Sequence, residues 1–501
     1  MSEIQKHYDI VIVGSGAGGG TVAAELAPLC EQGLKIAVLE FGGRFKKADN
    51  TRTEFEMAQK YYFDGGGFQT KTQDMTLAFA HGVGGSTNVY TGVTFKIPEL
   101  VLNRWEIGGL DYRDMNPRME KFIKECNVHA LPPEKINRNN QLFKIGGERL
   151  GWEIEQFPLN IKGCAGLNTC NLGCPRHAKQ GTAVVQLPAA EQKGVETIPF
   201  CRVDRIDGSD VLADVVDPTS NLEPSPWKPG RYRIHAKKTL LCAGTIHTSA
   251  ILLRSFGKKW NPLLGKYISC HPALMLAAEH DEPVNGTLGH PKSYYCKRFA
   301  EKMDFLLETC MYFPFSLAKN LAGFGSEVDE LLHRYPFIQM ILTLVLDEAQ
   351  LGNRVDIDRK GNPIVHYQIS ETLKKAFVES IKASARLFFS AGAKRAHLPG
   401  ANEFFTYAEQ VNDLDSLITT DQFKLGKVSI SAAHLMGGCR MGSSISDSVT
   451  NSWGKVHGKE HLYVADASLF PSCSRVNPYL TVMALADRVA EGIKNDLGME
   501  A

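Results

Sequence analysis

The sequence predicts an α/β protein in which a parallel sheet flanked by helices is assembled from separated chain segments, with an antiparallel layer inserted between them. Three observations predict it. The chain opens with an apolar run, Tyr8 to Val13, followed by GSGAGGG, an Ala-rich helical stretch through Leu26 and a second strand, Lys35 to Leu39, which is the order of a βαβ unit. Between about Ala273 and Lys427, RVDIDRKGNPIVHYQI reads as two strands joined by a Gly-Asn-Pro turn, beside the apolar run Phe337 to Leu346, which suggests antiparallel structure. The C-terminal part returns to a strand, His461 to Ala465, and a long helix, Tyr479 to Leu497.

Composition bounds the function. A length of 501 residues exceeds what one compact core usually supports, so two structural domains are expected. With 43% apolar and 22% charged residues, the chain is an ordinary globular one, neither disordered nor fibrous. A formal net charge of +1 provides no field to attract a polyanion, so no nucleic-acid partner is expected. The run Phe337 to Leu346 is about half the length of a membrane-spanning helix and is interrupted by Gln339 and Thr343, so no transmembrane segment is expected. The start, MSEIQKHYDIVIVG, lacks a basic segment followed by an apolar run and a cleavage site. This points to a cytoplasmic location, the alternative being periplasmic, by co-export with a partner that carries the signal. Twelve cysteines are too sparse for a disulfide scaffold, and Cys30, Cys126, Cys242 and Cys310 read as core thiols in a reducing compartment.

The first motif is the most specific. Gly14, Gly16 and Gly19 form GxGxxG, with Ala17 opening the helix, and Glu40 ends the next strand. One glycine makes the tight turn, one lets the backbone approach a pyrophosphate and one lets helix and sheet pack closely. The anion would then sit on the helix N-terminus. Glu40 would accept from ribose hydroxyls, which favours a ribose without a 2′-phosphate. The motif alone does not separate FAD from NAD. From Gly42 to Thr76 the chain is irregular, and a second glycine loop, His81 to Gly92, contains Gly84, Gly85 and Asn88. Glu99 to about Leu150 is mixed and helical, short β-type runs occupy Val195 to Ala243, and Glu371 to Ala391 is a helix without internal Gly or Pro. No internal repeat or flexible linker occurs.

Two polar residues near the end stand out. His434 lies in SAAHLMGGCRMG, where glycines allow close approach to a planar ligand and a neutral imidazole can act as a base. Its plain alternative is a structural histidine. Asn477, in SRVNPYLTVMALADR, would on the plain reading cap the following helix, with Pro478 at its first position.

These segments carry a resemblance. VIVGSGAGGGTVAAELA, HGVGGSTN, CAGTIHTSAILLRS, and HLMGGCRMG with LYVADASLFPSCSRVNPYLTVMALADR are similar, in order and over nearly the whole chain, to the glucose-methanol-choline (GMC) oxidoreductases. The resemblance implies a Rossmann-like FAD-binding domain built from residues 1–272 and 428–501, with a Cys-rich loop at 160–182 and a substrate-binding domain at 273–427. It implies FAD and oxidation of a CH–OH group, with His434 as base and Asn477 as its partner. It sets Asp466 and Ala467 against the ribityl chain and phosphates, Val203 on the adenine side, and Gly84, Gly85, Asn88 and Pro478 around the cofactor. Tyr90 and Ser249 depart from the family's usual Asn or His, and Pro, at those positions.

CAGLNTCNLGCPRHAKQGT gives Cys-x5-Cys-x3-Cys-Pro with Cys164, Cys170 and Cys174. This is similar to the catalytic subunits of iron-sulfur-containing bacterial sugar dehydrogenases of the same family, which implies a [3Fe-4S] cluster. The remaining readings are a zinc site completed by His177, or plain buried thiols. CNLGCPRHAKQGT also resembles long-chain alcohol oxidases. The expected function is therefore FAD-dependent oxidation of a sugar or other alcohol, with hydride transfer to flavin N5. Electrons would pass through the cluster to a partner such as a small subunit or cytochrome c. The alternatives are an oxygen-using alcohol oxidase without a cluster, a flavoprotein module without turnover, and an NAD-using dehydrogenase. Phe313 to Gly325 is read as a substrate lid, a docking surface for a small subunit or a packed loop.

Overall fold

The computed structural model of the chain describes residues 3–218, 221–321, 323–424 and 427–499. The first strand, Ile4–Val13, begins earlier than its apolar run: Ile4 to Tyr8 pair in register with Tyr232 to Ala236, and the stretch through His7 is largely exposed. Buried Ile10 to Val13 form the inner half of the strand. Parallel pairing then gives the order Glu196–Ile198, Ile36–Leu39, Ile4–Val13, Gly230–Leu241, Leu462–Val464.

The long strand Gly230–Leu241 explains how distant segments join one sheet. Its first half pairs antiparallel with Asp210–Val215, while Thr239 to Leu241 pair parallel with Leu462–Val464. The strand ends His461 and Ala465 seen in the sequence fall just outside the latter pairing. The helix Ala17–Leu26 lies tightly over this sheet, where a Cβ on Gly18 would fall 1.8 Å from the Ala465 carbonyl oxygen. Close approach at that point needs glycine. The last helix, Tyr479–Asp496, packs on both Ala17–Leu26 and Tyr112–Glu125. Its buried Arg488 donates to Asp114 at 2.7 Å and to the Gly109 carbonyl at 2.6 Å, so a guanidinium in the interior is paired.

The second sheet is antiparallel along its main path: Thr406–Tyr407, Arg395–His397, Pro272–Glu279, Ile338–Val345, Phe305–Thr309, Tyr294–Cys296, Glu155–Gln156. From Pro272–Glu279 it also extends through Ile430–Ala432 to Met75–Leu77, the last pair being parallel. Three of these strands come from outside residues 273–427. The helix Glu371–Ser390 backs the sheet with Phe377, Ile381, Leu387 and Phe388, and Ser370 Oγ accepts from Leu373 N–H at 3.1 Å to cap it. The α/β-plus-antiparallel class is thus observed.

The Gly-Asn-Pro hairpin departs from expectation in one respect. Arg354–Ile357 and Pro363–His366 do pair, but as a separate two-stranded sheet packed on the helix Gly244–Phe256. The segment Phe313 to Gly325 is partly helical, Pro314–Asn320, with the Glu54 carboxylate accepting from Phe315 N–H at 2.8 Å and Ser316 N–H at 2.9 Å. Ala322 of that segment lies outside the described residues.

Candidate active site

At the C-terminal edge of the parallel sheet, strand ends are linked by backbone bonds that continue the sheet: Gly14 N–H to Leu39 O, Cys242 N–H to Val13 O, and Ala465 N–H to Leu241 O. Gly14 has φ +99°, and a Cβ there would lie 2.5 Å from the Cys242 carbonyl oxygen. Gly16 has the opposite surroundings. It is the N-cap of Ala17–Leu26 with no side-chain cap, and a Cβ on it would meet nothing nearer than Gly85 Cα at 4.0 Å. A helix N-terminus with free space and uncapped amides suits a pyrophosphate. The second glycine loop faces it: Gly84 N–H donates to Ser15 Oγ at 2.9 Å, and Asn88 Nδ2 donates back to the Val83 carbonyl at 2.9 Å.

Glu40 is buried, and both of its oxygens are occupied by the protein. One accepts from Ser15 N–H and Ser15 Oγ, the other from Gly42 N–H and Gly82 N–H, at 2.5 to 3.0 Å. Burial raises its pKa, and these donors oppose the rise. The carboxylate therefore ties the two glycine loops together, a duty the expected ribose contact did not include. Val203 is buried two residues beyond Cys201, whose N–H bonds to the Glu40 carbonyl at 2.8 Å. Asp466 accepts from Gly244 N–H, Thr248 Oγ1 and Ser468 N–H at 2.6 to 2.8 Å. The Ala467 carbonyl receives Gly437 N–H at 2.9 Å, which brings the HLMGGCRMG loop onto this turn.

His434 and Asn477, 43 residues apart, meet here: Asn477 Nδ2 lies 3.4 Å from His434 Nε2. Asn477 does not cap the following helix. The N-cap is Pro478, with no side-chain cap bond, so the capping reading is corrected. The buried Asn477 Oδ1 has no partner among the described residues. Burial, with the Lys292 ammonium as a lesser cause, pushes the His434 imidazole down to about 3, so it is neutral at physiological pH. Lys292 is itself buried and ion-paired with Glu308.

Two residues the motifs did not single out complete the group. His271 Nδ1 is 3.0 Å from His434 Nδ1, with the rings at 86°, and His271 Nε2 is 3.0 Å from Cys473 Sγ. Strand pairing explains the meeting: Pro272 is opposite Ala432 and Ser269 bridges to Met436, which sets His271 beside His434. The only available sequence signal was a histidine before proline at a strand start, and a cysteine four residues before Asn477.

The three clustered cysteines each have a different hydrogen-bond neighbour. Cys164 Sγ accepts from Gly166 N–H and Cys174 Sγ from Ala178 N–H, both at 3.4 Å, while Cys170 Sγ faces His290 Nε2 at 3.7 Å. Positive φ angles at Gly163, Gly166, Asn168, Gly173 and His177 turn the loop repeatedly. Among the described residues no set of three His, Cys, Asp or Glu side chains is placed to hold a metal ion. The side chains therefore fit neither the [3Fe-4S] set of Cys164, Cys170 and Cys174 nor a zinc site completed by His177. No helix among the described residues is long and apolar enough to cross a membrane.

The GMC oxidoreductase N-terminal and C-terminal profiles match residues 8–273 and 352–486. The chain belongs to the GMC oxidoreductase family. A GMC-type oxidoreductase of Mycobacterium tuberculosis is 30% identical over 96% of this chain and 75% of its own length. A long-chain-alcohol oxidase of Arabidopsis thaliana is 25% identical over 96% of this chain and 67% of its own. The fold is shared with formate oxidase of Aspergillus oryzae, at TM-score 0.72 and 14% identity over 98% of both chains. Pyridoxine 4-oxidase shares it at TM-score 0.72 and 17% identity, over 97% of this chain and 99% of its own. As a GMC oxidoreductase, the protein is an FAD-dependent oxidoreductase of alcohol-type substrates. The free space and uncapped helix N-terminus at Gly16, between the tightly packed turns at Gly14 and Gly85, fit that cofactor.

Proposed function

We propose that this GMC oxidoreductase oxidises a CH–OH group to a carbonyl, with His434 as the base and Asn477 as the partner that holds the substrate oxygen. The single observation that carries the reading is the meeting of Asn477 Nδ2 and His434 Nε2 at 3.4 Å, with the imidazole held neutral by burial. FAD supplies the hydride acceptor when bound. Gly14, Gly16, Ala17, Gly19, Gly84, Gly85, Asn88, Val203, Asp466, Ala467 and Pro478 would hold it, with Glu40 acting through the two glycine loops it ties together and the pyrophosphate on the first turn of Ala17–Leu26.

The chain's own residues have distinct tasks. Asn477 Nδ2 donates to the substrate oxygen and orients the hydroxyl, and His434 Nε2 takes its proton. Charge that builds on that oxygen is met by a donor already in place, which lowers the barrier without reorganisation.

For the electron acceptor we favour dioxygen or a small soluble oxidant over a route through Cys164, Cys170 and Cys174 to a small subunit or cytochrome c. The separate hydrogen-bond neighbours of the three thiols and the relatives named as oxidases support this. The free thiols, several of them buried, favour work in the cytoplasm. Iron and flavin in protein purified without oxygen test the choice: iron far below flavin is expected, and about three irons per flavin would restore the cluster. Bleaching of the flavin by a primary alcohol under anaerobic conditions tests the reaction itself. A yellow protein that no alcohol bleaches would instead be a binding module.

A further inference from the structure

A base that accepts a proton at Nε2 must carry its own hydrogen at Nδ1. Among the described residues the one hydrogen-bonding neighbour of His434 Nδ1 is His271 Nδ1 at 3.0 Å, and two ring nitrogens can share only one hydrogen. If His434 is the donor, His271 Nδ1 is the acceptor and the His271 hydrogen sits on Nε2, pointing at Cys473 Sγ at 3.0 Å. If the direction is reversed, His434 carries its hydrogen at Nε2 and cannot take one from a substrate. The pair thus has two self-consistent directions, and only one is compatible with base catalysis.

The Asn477 end of this line selects that direction, and the Cys473 end accommodates it. Asn477 presents its amide Nδ2 to His434 Nε2, which a ring N–H at Nε2 would oppose. At the other end, Cys473 Sγ accepts from Arg475 N–H at 3.3 Å and has a second lone pair to receive the His271 Nε2 hydrogen. His271 is fully buried, as is Cys473, and burial keeps the His271 imidazole well below its ordinary pKa and therefore neutral. A charged His271, with hydrogens on both nitrogens, would force His434 to accept.

We propose that His271 and Cys473 are positioning residues that lock His434 in the Nδ1–H tautomer, with N–H groups directed from His434 to His271 and from His271 to Cys473. This deepens the catalytic reading above and rests on it. The relay is built by tertiary structure, since its members lie at the start of one strand, the end of another and the loop before the last helix.

The test uses the full-length holoenzyme labelled with 15N-histidine, comparing wild type with His271→Phe, His271→Asn and Cys473→Ala. The His434 resonances are assigned by their loss in a His434→Gln sample. In wild type, Nδ1 of His434 is expected to be protonated and Nε2 bare. His271→Phe removes the acceptor, so the Nε2–H form appears and anaerobic flavin reduction by a primary alcohol falls about 10²-fold at unchanged flavin content. His271→Asn keeps an acceptor oxygen near the same place and restores the Nδ1–H form with most of the rate. Cys473→Ala shifts the tautomer in the same direction as His271→Phe, by a smaller amount. The proposal is overturned if wild-type His434 carries its hydrogen on Nε2, or if neither His271→Phe nor Cys473→Ala moves the tautomer. Because the tautomer is read without substrate, a wild type that no alcohol reduces would sink the catalytic reading while the relay is still judged.

Discussion

Two regions of this protein bring cysteine and histidine together, and they behave oppositely. At Cys473, His271 and His434, each of the two 3.0 Å contacts joins residues more than 160 positions apart. At Cys164, Cys170 and Cys174, thiols within eleven positions of one another turn to separate partners. Closeness along the chain does not create a site. What creates one is an element that holds backbone direction: paired strands fix the first group, whereas the second sits on a loop turned at five residues with positive φ.

The sharpest way to test the contrast is to remove the group on which the first region converges. His434→Ala should lower anaerobic flavin reduction by about 10²- to 10⁴-fold, the usual worth of a placed general base, with bound FAD unchanged. Equal loss of FAD would reduce His434 to structure. Next in size, Asn477→Ala should slow flavin reduction by about 10²-fold, as expected for one donor to a developing oxyanion, and more than it lowers flavin content. If flavin and rate fall in parallel, the residue serves only the architecture.

Acid titration compares the two regions directly. His271 beside His434 is held well below 6.5, and His290 beside Cys170 is lowered to about 4, burial being the largest cause for each. A histidine depressed in the folded state binds its proton more readily when unfolded, so stability is present above pH 6.5 and declines as pH falls below it. Each group should contribute up to about 1.4 kcal/mol per pH unit between 6.5 and the folded value. Urea midpoints at pH 7 and pH 5 measure the sum, and replacing His290 by Asn should flatten the slope. A midpoint that rises on acidification would contradict the buried neutral state of both. The smallest effect belongs to the cysteine loop: Cys164→Ser with Cys174→Ser should leave flavin reduction within about twofold, as for substitutions outside a network. A collapse in rate, with iron lost from the wild-type ratio, would show that the thiols converge after all.

Much of the scaffold was legible because its signals are local. The apolar run into GSGAGGG and the Ala-rich helix specified the first βαβ unit, since a tight turn and close helix packing need glycine at fixed offsets. The apolar stretch Phe337 to Leu346 became the strand Ile338–Val345, and Glu371 to Ala391 the helix Glu371–Ser390, because their patterning is continuous and lacks breakers. The pairing of His434 with Asn477 was legible through resemblance, whose motifs place the two residues without stating what lies behind them.

What the chain decided by itself, then, is where turns, strands and helices must fall, along with the residue types that approach a nucleotide and a hydroxyl. Only the tertiary structure decided which side chains share a site. Pairing Pro272 with Ala432 set His271 against His434, and packing carried Glu40 onto the amides of a loop more than 40 residues away. The same packing gave three neighbouring thiols three different hydrogen-bond neighbours. The physical reason is range: backbone preferences act over a few residues, while burial and hydrogen-bond satisfaction act between surfaces that only the completed fold brings together.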